Sequence, residues 1–401
     1  MACTVATVVD RTMMERATSI DDRPDGRSEC TGEVVVIGAG PAGCLAAIAA
    51  VKAGARVTLL ERAGFPREKV CGCCIAPRGV AVLADMGLKH ILADAPRLGS
   101  VRLESGRASA RIDRDSGVAL SRGAFDTRLV RAAMDRGVHV VHGTSAIVGI
   151  DGVVRARRDG IDMTLCPAAC VVADGLAGRS LDAHPGVTWR VSPTSRIGLG
   201  AILPAGSIAL HPGEVLMRVE TGGYVGAVEL EDGRIDVAAA ADHDVLRHEG
   251  PAGLMARWLG DAVRDRDTID AARWTGTPWL TRQRSTLAMP GILVAGDAAG
   301  YVEPFTGEGM SWALASGHAA GLMAARMVHE PSCWVQWPTR WADLLKSDRL
   351  RCSLVARLLR SPRTVHAGLA IARRWPGMAA RLARPIGQMH RAATLCQEVS
   401  S

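Results

Sequence analysis

The sequence predicts an α/β fold: a Rossmann-like domain built on a parallel sheet, an inserted antiparallel β-sheet, and a helical C-terminal tail. Three observations carry this reading. An apolar β-branched run passes through a glycine-rich turn into a helix just after Glu33, and a second strand–glycine unit recurs far downstream at Ile292 to Asp297. Between them, from Thr188 to Asp242, helical periodicity disappears and short alternating runs take over. The boundaries that follow are a disordered leader at 1–30, the parallel-sheet domain in two pieces at 31–187 and 268–330, the antiparallel sheet at 188–267, and a helical region at 331–401.

Residues 1–30 mix Asp, Arg, Ser and Thr without a continuous apolar core, and Met13 and Met14 offer later starts. Val34 to Ile37 is the pattern of a strand buried on both faces. In Gly38-Ala-Gly40-Pro-Ala-Gly43, the first glycine permits a tight turn, the second lets backbone approach a pyrophosphate, and the third lets helix and strand pack closely. The helix amino terminus at Pro41–Ala42 supplies free N–H groups and partial positive charge. Gly54 ends that helix, and Val57 to Leu60 delivers Glu61 and Arg62 at a strand's carboxyl end. An acid about twenty residues beyond the glycines can hold both ribose hydroxyls, which points to FAD or NAD rather than NADP.

The next stretch, residues 63–79, is irregular and carries Cys71, Cys73 and Cys74. A structural metal needs separated ligand pairs, and Cys166 with Cys170 fits that poorly. A redox pair of Cys71 and Cys74 has the required spacing. A glycine-containing loop close to a ligand, its thiols small and apolar, is the preferred reading. Helices follow at 79–86 and 121–136, and strands at 138–141 and 170–173, the last feeding Asp174-Gly175. Gly222-Gly223 and Asp232-Gly233 mark hairpin turns in the antiparallel segment, one face of which can wall a substrate pocket. Residues 250–265 read as helix, as does the stretch from Met310 to Val328. The tail is helical and basic, with Arg349, Arg351, Arg357, Arg360, Arg363, Arg373, Arg374, Arg381, Arg384 and Arg391 among apolar residues. Such a tail packs on the body as a solvated amphipathic surface or lies on a membrane.

Composition narrows the function classes. At 401 residues the chain can bury a large core. Aromatic content of 3% leaves little for stacking on single-stranded nucleic acid, so no nucleic-acid partner is expected. The net charge of +7 is largely arginine and is equally explained by high-GC coding. Eleven cysteines without a secretory signal point to reduced thiols and a cytoplasmic location. No run approaches the roughly eighteen apolar residues of a spanning helix.

A carboxylate at Gly296-Asp297 can accept hydrogen bonds from a ribityl chain, and the helix starting after Pro304 to Gly309 can stabilise negative charge on a reduced isoalloxazine. Taken together, Gly38-x-Gly40-x-x-Gly43 with Glu61, Ala173-Asp174-Gly175, and Gly296-Asp297-Ala-Ala-Gly-x-x-x-Pro304-x-x-Gly307-x-Gly309 resemble the three motifs of FAD-dependent oxidoreductases. That superfamily includes the para-hydroxybenzoate hydroxylase type, geranylgeranyl reductases and flavin halogenases. Lys69-Val-Cys71-Gly72 through Pro77-Arg78, with Asp297 to Gly309, is most similar to the geranylgeranyl reductase branch.

The resemblance implies a role for each of these residues. Glu61 would hold the adenosine ribose and Arg122 would lie near the pyrophosphate. Asp297 would face the ribityl and pyrophosphate, while Thr306 to Met310 would line the flavin's pyrimidine edge. Cys71 and Gly72 would sit beside the ring on the substrate side, and Cys71 is the one candidate catalytic side chain. The cofactor set is then Gly38, Gly40, Pro41, Ala42, Gly43, Glu61, Arg62, Cys71, Gly72, Arg122, Asp174, Gly296, Asp297, Pro304, Thr306, Gly307, Glu308, Gly309 and Met310. Lys69 and Arg78 read as loop anchors. Gly178 and Leu181 stand where hydroxylases carry Ser and Arg, and Gly300 where they carry His. The halogenase Trp-x-Trp-x-Ile-Pro box is absent, and Gly223-Tyr224-Val-Gly226 replaces the prenyl reductases' Gly-Tyr-x-Trp-x-Phe-Pro. The expected function is an FAD-dependent oxidoreductase reduced by NAD(P)H and acting on an apolar isoprenoid or polyketide-like molecule. A monooxygenase is the alternative, and a non-catalytic flavin-binding partner a third reading.

Overall fold

The computed structural model describes residues 33–374 apart from 114, 116, 304 and 306. The leader at 1–30, Pro304, Thr306, Arg381, Arg384 and Arg391 lie outside the described residues.

Glu33–Ile37 pairs in parallel with Arg56–Glu61 on one side and Ala169–Val172 on the other. Ile292–Val294 extends the sheet beyond Ala169–Val172, and His139–His142 extends it beyond Arg56–Glu61. Only the short edge strand Ala288–Met289 runs antiparallel, giving six strands among the described residues. The parallel strands are Val- and Leu-rich because both of their faces are buried. Pro41–Lys52 and Gly309–Met327 are the principal cover, and Pro77–Asp85 and Arg122–Met134 flank them. The two principal helices cross at very short range. A Cβ on Gly317 would fall 2.1 Å from the Ala42 carbonyl oxygen, and one on Gly321 would fall 2.1 Å from that of Ala46.

The order of neighbouring strands decides where function can lie. Gly296, Asp174, Gly38 and Glu61 follow or end four adjacent parallel strands, all at the carboxyl edge. The edge is knitted by Gly38 N–H to the Leu60 carbonyl at 2.8 Å, Ala173 N–H to Ile37 at 2.8 Å and Ala295 N–H to Val172 at 2.9 Å. Strand spacing makes this row about 14 Å long, a length that suits an extended ligand rather than a compact one.

The second sheet differs from the expected antiparallel insertion. Its order is Thr275–Trp279, Ile197–Leu203, Ile235–Ala241, Gly223–Glu229, Glu214–Glu220, Ser100–Ser105 and Ala108–Asp113. Glu214–Glu220 and Ser100–Ser105 run parallel, so the sheet is mixed. Three of its strands fall outside 188–267: the Ser100–Asp113 hairpin and Thr275–Trp279 are drawn in from the flanking segments. The physical reason is edge pairing: both edges of a purely inserted meander would present unpaired backbone, and these segments cover them. The Gly222-Gly223 and Asp232-Gly233 turns do join neighbouring antiparallel strands. The 250–265 helix is shorter than expected, Pro251–Leu259, because Gly260 at φ +49° stops it. A small sheet of Thr144–Val148, Val154–Arg158 and Ile161–Leu165 completes the rim.

The tail forms Trp337–Leu358 and Pro362–Arg374. Buried Trp337 donates its indole N–H to the Val294 carbonyl at 2.9 Å, and Arg78 bonds both Asp348 and the Leu344 carbonyl. Its first helix is therefore anchored to the parallel-sheet domain.

Candidate active site

Two cavities run along the carboxyl edge, and a third adjoins them against the second sheet. The first, about 760 Å³, is lined by Gly38, Leu60, Glu61, Arg67, Thr144 to Ile147 and Arg155 to Arg157. It shares Gly40, Arg62, Lys69 and Asp174 with the second, about 420 Å³, which Pro41, Ala42, Arg122, Asp297, Gly309 and Met310 also line. The second shares Val70, Cys71, Gly72, Cys74, Tyr301 and Gly307 with a third of about 310 Å³. The third is apolar, walled by Leu98, Val101, Leu103, Val215, Met217, Val228 and Leu280, with Tyr224 edge-on to Phe305 at 5.0 Å.

Most of the sequence-derived cofactor set is brought together here. Gly43, Gly296 and Glu308 do not line these cavities. Gly43 lies under Gly38, whose carbonyl oxygen would be 1.8 Å from an added Cβ, and Gly296 packs against Ala42. Both shape the cleft from behind. Glu308 is buried at the start of the Gly309–Met327 helix. Asp174 accepts from the Ser180 N–H at 2.9 Å and closes over Gly178, while its Oδ1 has no protein partner.

Glu61 is 3% exposed, accepting from Ala39 N–H at 2.7 Å and Ala63 N–H at 2.9 Å. Arg67 pairs with it at 2.9 Å and reaches Asp126 at 3.5 Å. Asp126 in turn holds Arg122 in a two-pronged ion pair at 2.9 and 2.8 Å. This is an alternating chain of charge from the first cavity to the second. Arg67 and Lys69 are the residues sequence reasoning left out of the site. Their signal was their position, basic side chains in the loop directly after the ribose acid. Burial, together with Arg122 and Arg67, lowers Lys69 to about 8. Burial pushes the Asp297 carboxyl up, opposed by Arg122, Lys69 and Arg282.

These residues fit an FAD molecule. Arg67 Nε and Nη2 are buried without a hydrogen-bond partner, and a Cβ on Gly40 would meet only the far end of Arg67 at 4.0 Å. An anion lying over Gly40 would satisfy those donors, with Lys69 and the amino end of Pro41–Lys52 beside it. Glu61 would then hold the ribose, and the start of Gly309–Met327 would lie toward the pyrimidine edge. Bound FAD supplies two-electron redox chemistry. The protein positions it, excludes water and sets the charge around it.

Cys71 lies where the second and third cavities meet. Hydrogen bonding from Cys73 and the nearby Arg122 bring its thiol down to about 6, against burial. Cys73 is held at φ +49° and is pushed up, so it stays a thiol. The described cysteines are free thiols, and no group of three His, Cys, Asp or Glu among the described residues is arranged to hold a metal.

Comparison with known proteins agrees with this geometry. Residues 31–197 match the FAD binding domain family. A menaquinone reductase of Mycolicibacterium smegmatis is 29% identical over 351 residues, covering 82% of this chain and 83% of that protein. Digeranylgeranylglycerophospholipid reductase 1 of Methanopyrus kandleri is 28% identical over 334 residues, covering 78% and 85%. The crystal structure of a geranylgeranyl bacteriochlorophyll reductase-like protein of Thermoplasma acidophilum shares the fold, with TM-score 0.68 at 16% identity over 84% of this chain and 90% of that one. With its three motifs laid along one edge and its basic loop facing them, the chain carries an FAD binding domain, is similar over most of its length to FAD-dependent oxidoreductases, and is an enzyme of that kind.

Proposed function

We propose that this oxidoreductase reduces an apolar small molecule, of isoprenoid or polyketide-like type, with NAD(P)H reducing its flavin. The observation that carries the proposal is the third cavity, an apolar chamber that meets the flavin cleft at Cys71 and Gly72. Its volume of about 310 Å³ is in the range of pockets that enclose a small ligand. The two relatives are named for reduction of menaquinone and of a digeranylgeranylglycerophospholipid, which suits such a chamber. Where hydroxylases carry Ser and Arg, Gly178 is closed over by Asp174 and Leu181 is fully buried in the core, so reduction is favoured over oxygen insertion.

The test is anaerobic mixing of the FAD-loaded protein with NADH or NADPH, followed by a prenylated quinone or an isoprenoid alkene. Bleaching of the oxidised flavin band, then its return as a reduced product forms, is the expected result. An oxygenated product that appears only with air would make the enzyme a monooxygenase. A flavin that neither nicotinamide reduces would remove NAD(P)H from the proposal.

The tail adds a site of action. Leu350, Leu354 and Leu358 are 70%, 57% and 48% exposed and one turn apart on Trp337–Leu358. Lys346 and Arg357 are exposed on the same helix, and its Val355 lines the third cavity. No helix among the described residues is long and apolar enough to cross a membrane. We infer peripheral contact with an anionic bilayer, which would present a lipid-soluble substrate near the chamber.

A further inference from the structure

Ile235–Ala241 buries Ile235, Val237, Ala239 and Ala241 behind the second sheet. Period-two alternation turns Asp236, Ala238 and Ala240 to the opposite face, where they line the third cavity. Gly226 and Gly198 stand opposite Ala238 and Ala240 on the neighbouring strands, so the chamber exists because these side chains are small. Among the described residues, Asp236 is the one carboxyl group lining it.

That carboxyl group is 3% exposed, and its Oδ2 has no hydrogen-bond partner. Its hydrogen bond is to Cys73, and the other titratable groups facing it are Cys71, Cys74 and Glu68, all on the loop that separates the chamber from the flavin cleft. No described cation pairs with it. An ionised carboxylate left this way would be strongly unfavourable, and a buried polar atom without a partner calls for one. Burial and the neighbouring Cys71 push the acid well above the usual carboxylate range, so it is a neutral donor.

We propose that Asp236 is the substrate-recognition residue of the chamber, its carboxyl O–H donating a hydrogen bond to a carbonyl oxygen on an otherwise hydrocarbon ligand. The ligand class is then a quinone, ketone or ester with an apolar body, rather than a pure alkene. This rests on the reading of the third cavity as the substrate site. The acid selects by pairing: a ligand with no acceptor leaves Oδ2 desolvated and unmatched, which weakens binding beyond the loss of one contact.

The test uses the FAD-loaded protein and two probes, a naphthoquinone with one prenyl side chain and the prenylnaphthalene lacking both carbonyls. Binding is followed by calorimetry and by the shift of the oxidised flavin band. The parent should prefer the quinone by about tenfold or more. Asp236→Leu should lose that preference, and Asp236→Asn, which keeps a donor, should retain most of it. Equal flavin content in all three shows an intact fold and cofactor site. Should the Leu variant fail to fold, infrared difference spectra decide: quinone binding should shift a protonated-carboxyl stretch that the Asn variant lacks. A preference unchanged in Asp236→Leu, or no such shifting band, overturns the role of Asp236 alone. Neither probe binding the parent overturns the assignment of the chamber, and this proposal with it.

Discussion

Glu61 and Asp297 stand at opposite ends of the four-strand row, so their removal should be felt at opposite ends of the cofactor. Each offers charge-assisted hydrogen bonding, and replacement by Ala should weaken FAD binding by about 1–3 kcal/mol. The dissociation constant from flavin fluorescence titration measures this, and loss below about fivefold at both sites would contradict the placement. Cys71 gives a pH test. With a thiol near 6, its thiolate fraction grows as pH rises through that value, so iodoacetamide labelling should reach half its maximal rate near pH 6. An ordinary thiol would do so near 9. Peptide mass spectrometry assigns the labelled site. At this scale the glycines and Glu61 were legible because turn, helix start and acid lie within one short βαβ unit. Arg67, Lys69 and Asp236 were less so. Their roles depend on where a loop and a distant sheet bring them, and neither position is written in local spacing.

At the scale of elements, the crossing of Pro41–Lys52 and Gly309–Met327 sets the width of the cleft floor. Gly317 and Gly321 are spaced one turn apart, and each faces a backbone carbonyl of the other helix at a distance no side chain tolerates. Gly321→Leu should therefore force the helices apart and cost about 3 kcal/mol or more. A fall in the urea midpoint with unchanged slope would show it, with FAD loss as a second readout. Helices and parallel strands were readable from apolar runs closed by glycine: Gly54 and Gly137 both follow helices in the structure, whereas the stop at Gly260 falls inside the stretch expected to be helical. The close crossing was not readable, since the two glycines sit in an Ala-rich run that would make an acceptable helix without a partner.

Val355 of the tail lines the chamber, and the chamber meets the cofactor cleft at Cys71 and Gly72. If Leu350, Leu354 and Leu358 meet a bilayer, replacing all three with Gln should release the protein from vesicles containing phosphatidylglycerol while leaving soluble substrates unaffected. Co-sedimentation measures this, and equal binding by the triple variant would exclude that face. The overall class was legible in the sequence because two widely separated strand–glycine units imply one discontinuous domain. The composition of the second sheet was not, because parallel pairing of Ser100–Ser105 with Glu214–Glu220 joins segments that share no turn.

That interleaving has a consequence for anyone who would retool the enzyme. The chamber wall is no cassette: its strands leave the cofactor-bearing core, return to it and leave again. Exchanging the wall between relatives would mean grafting three stretches of chain at once, and cutting out 188–267 alone would strip the donor of its neighbours and the recipient of a closed edge.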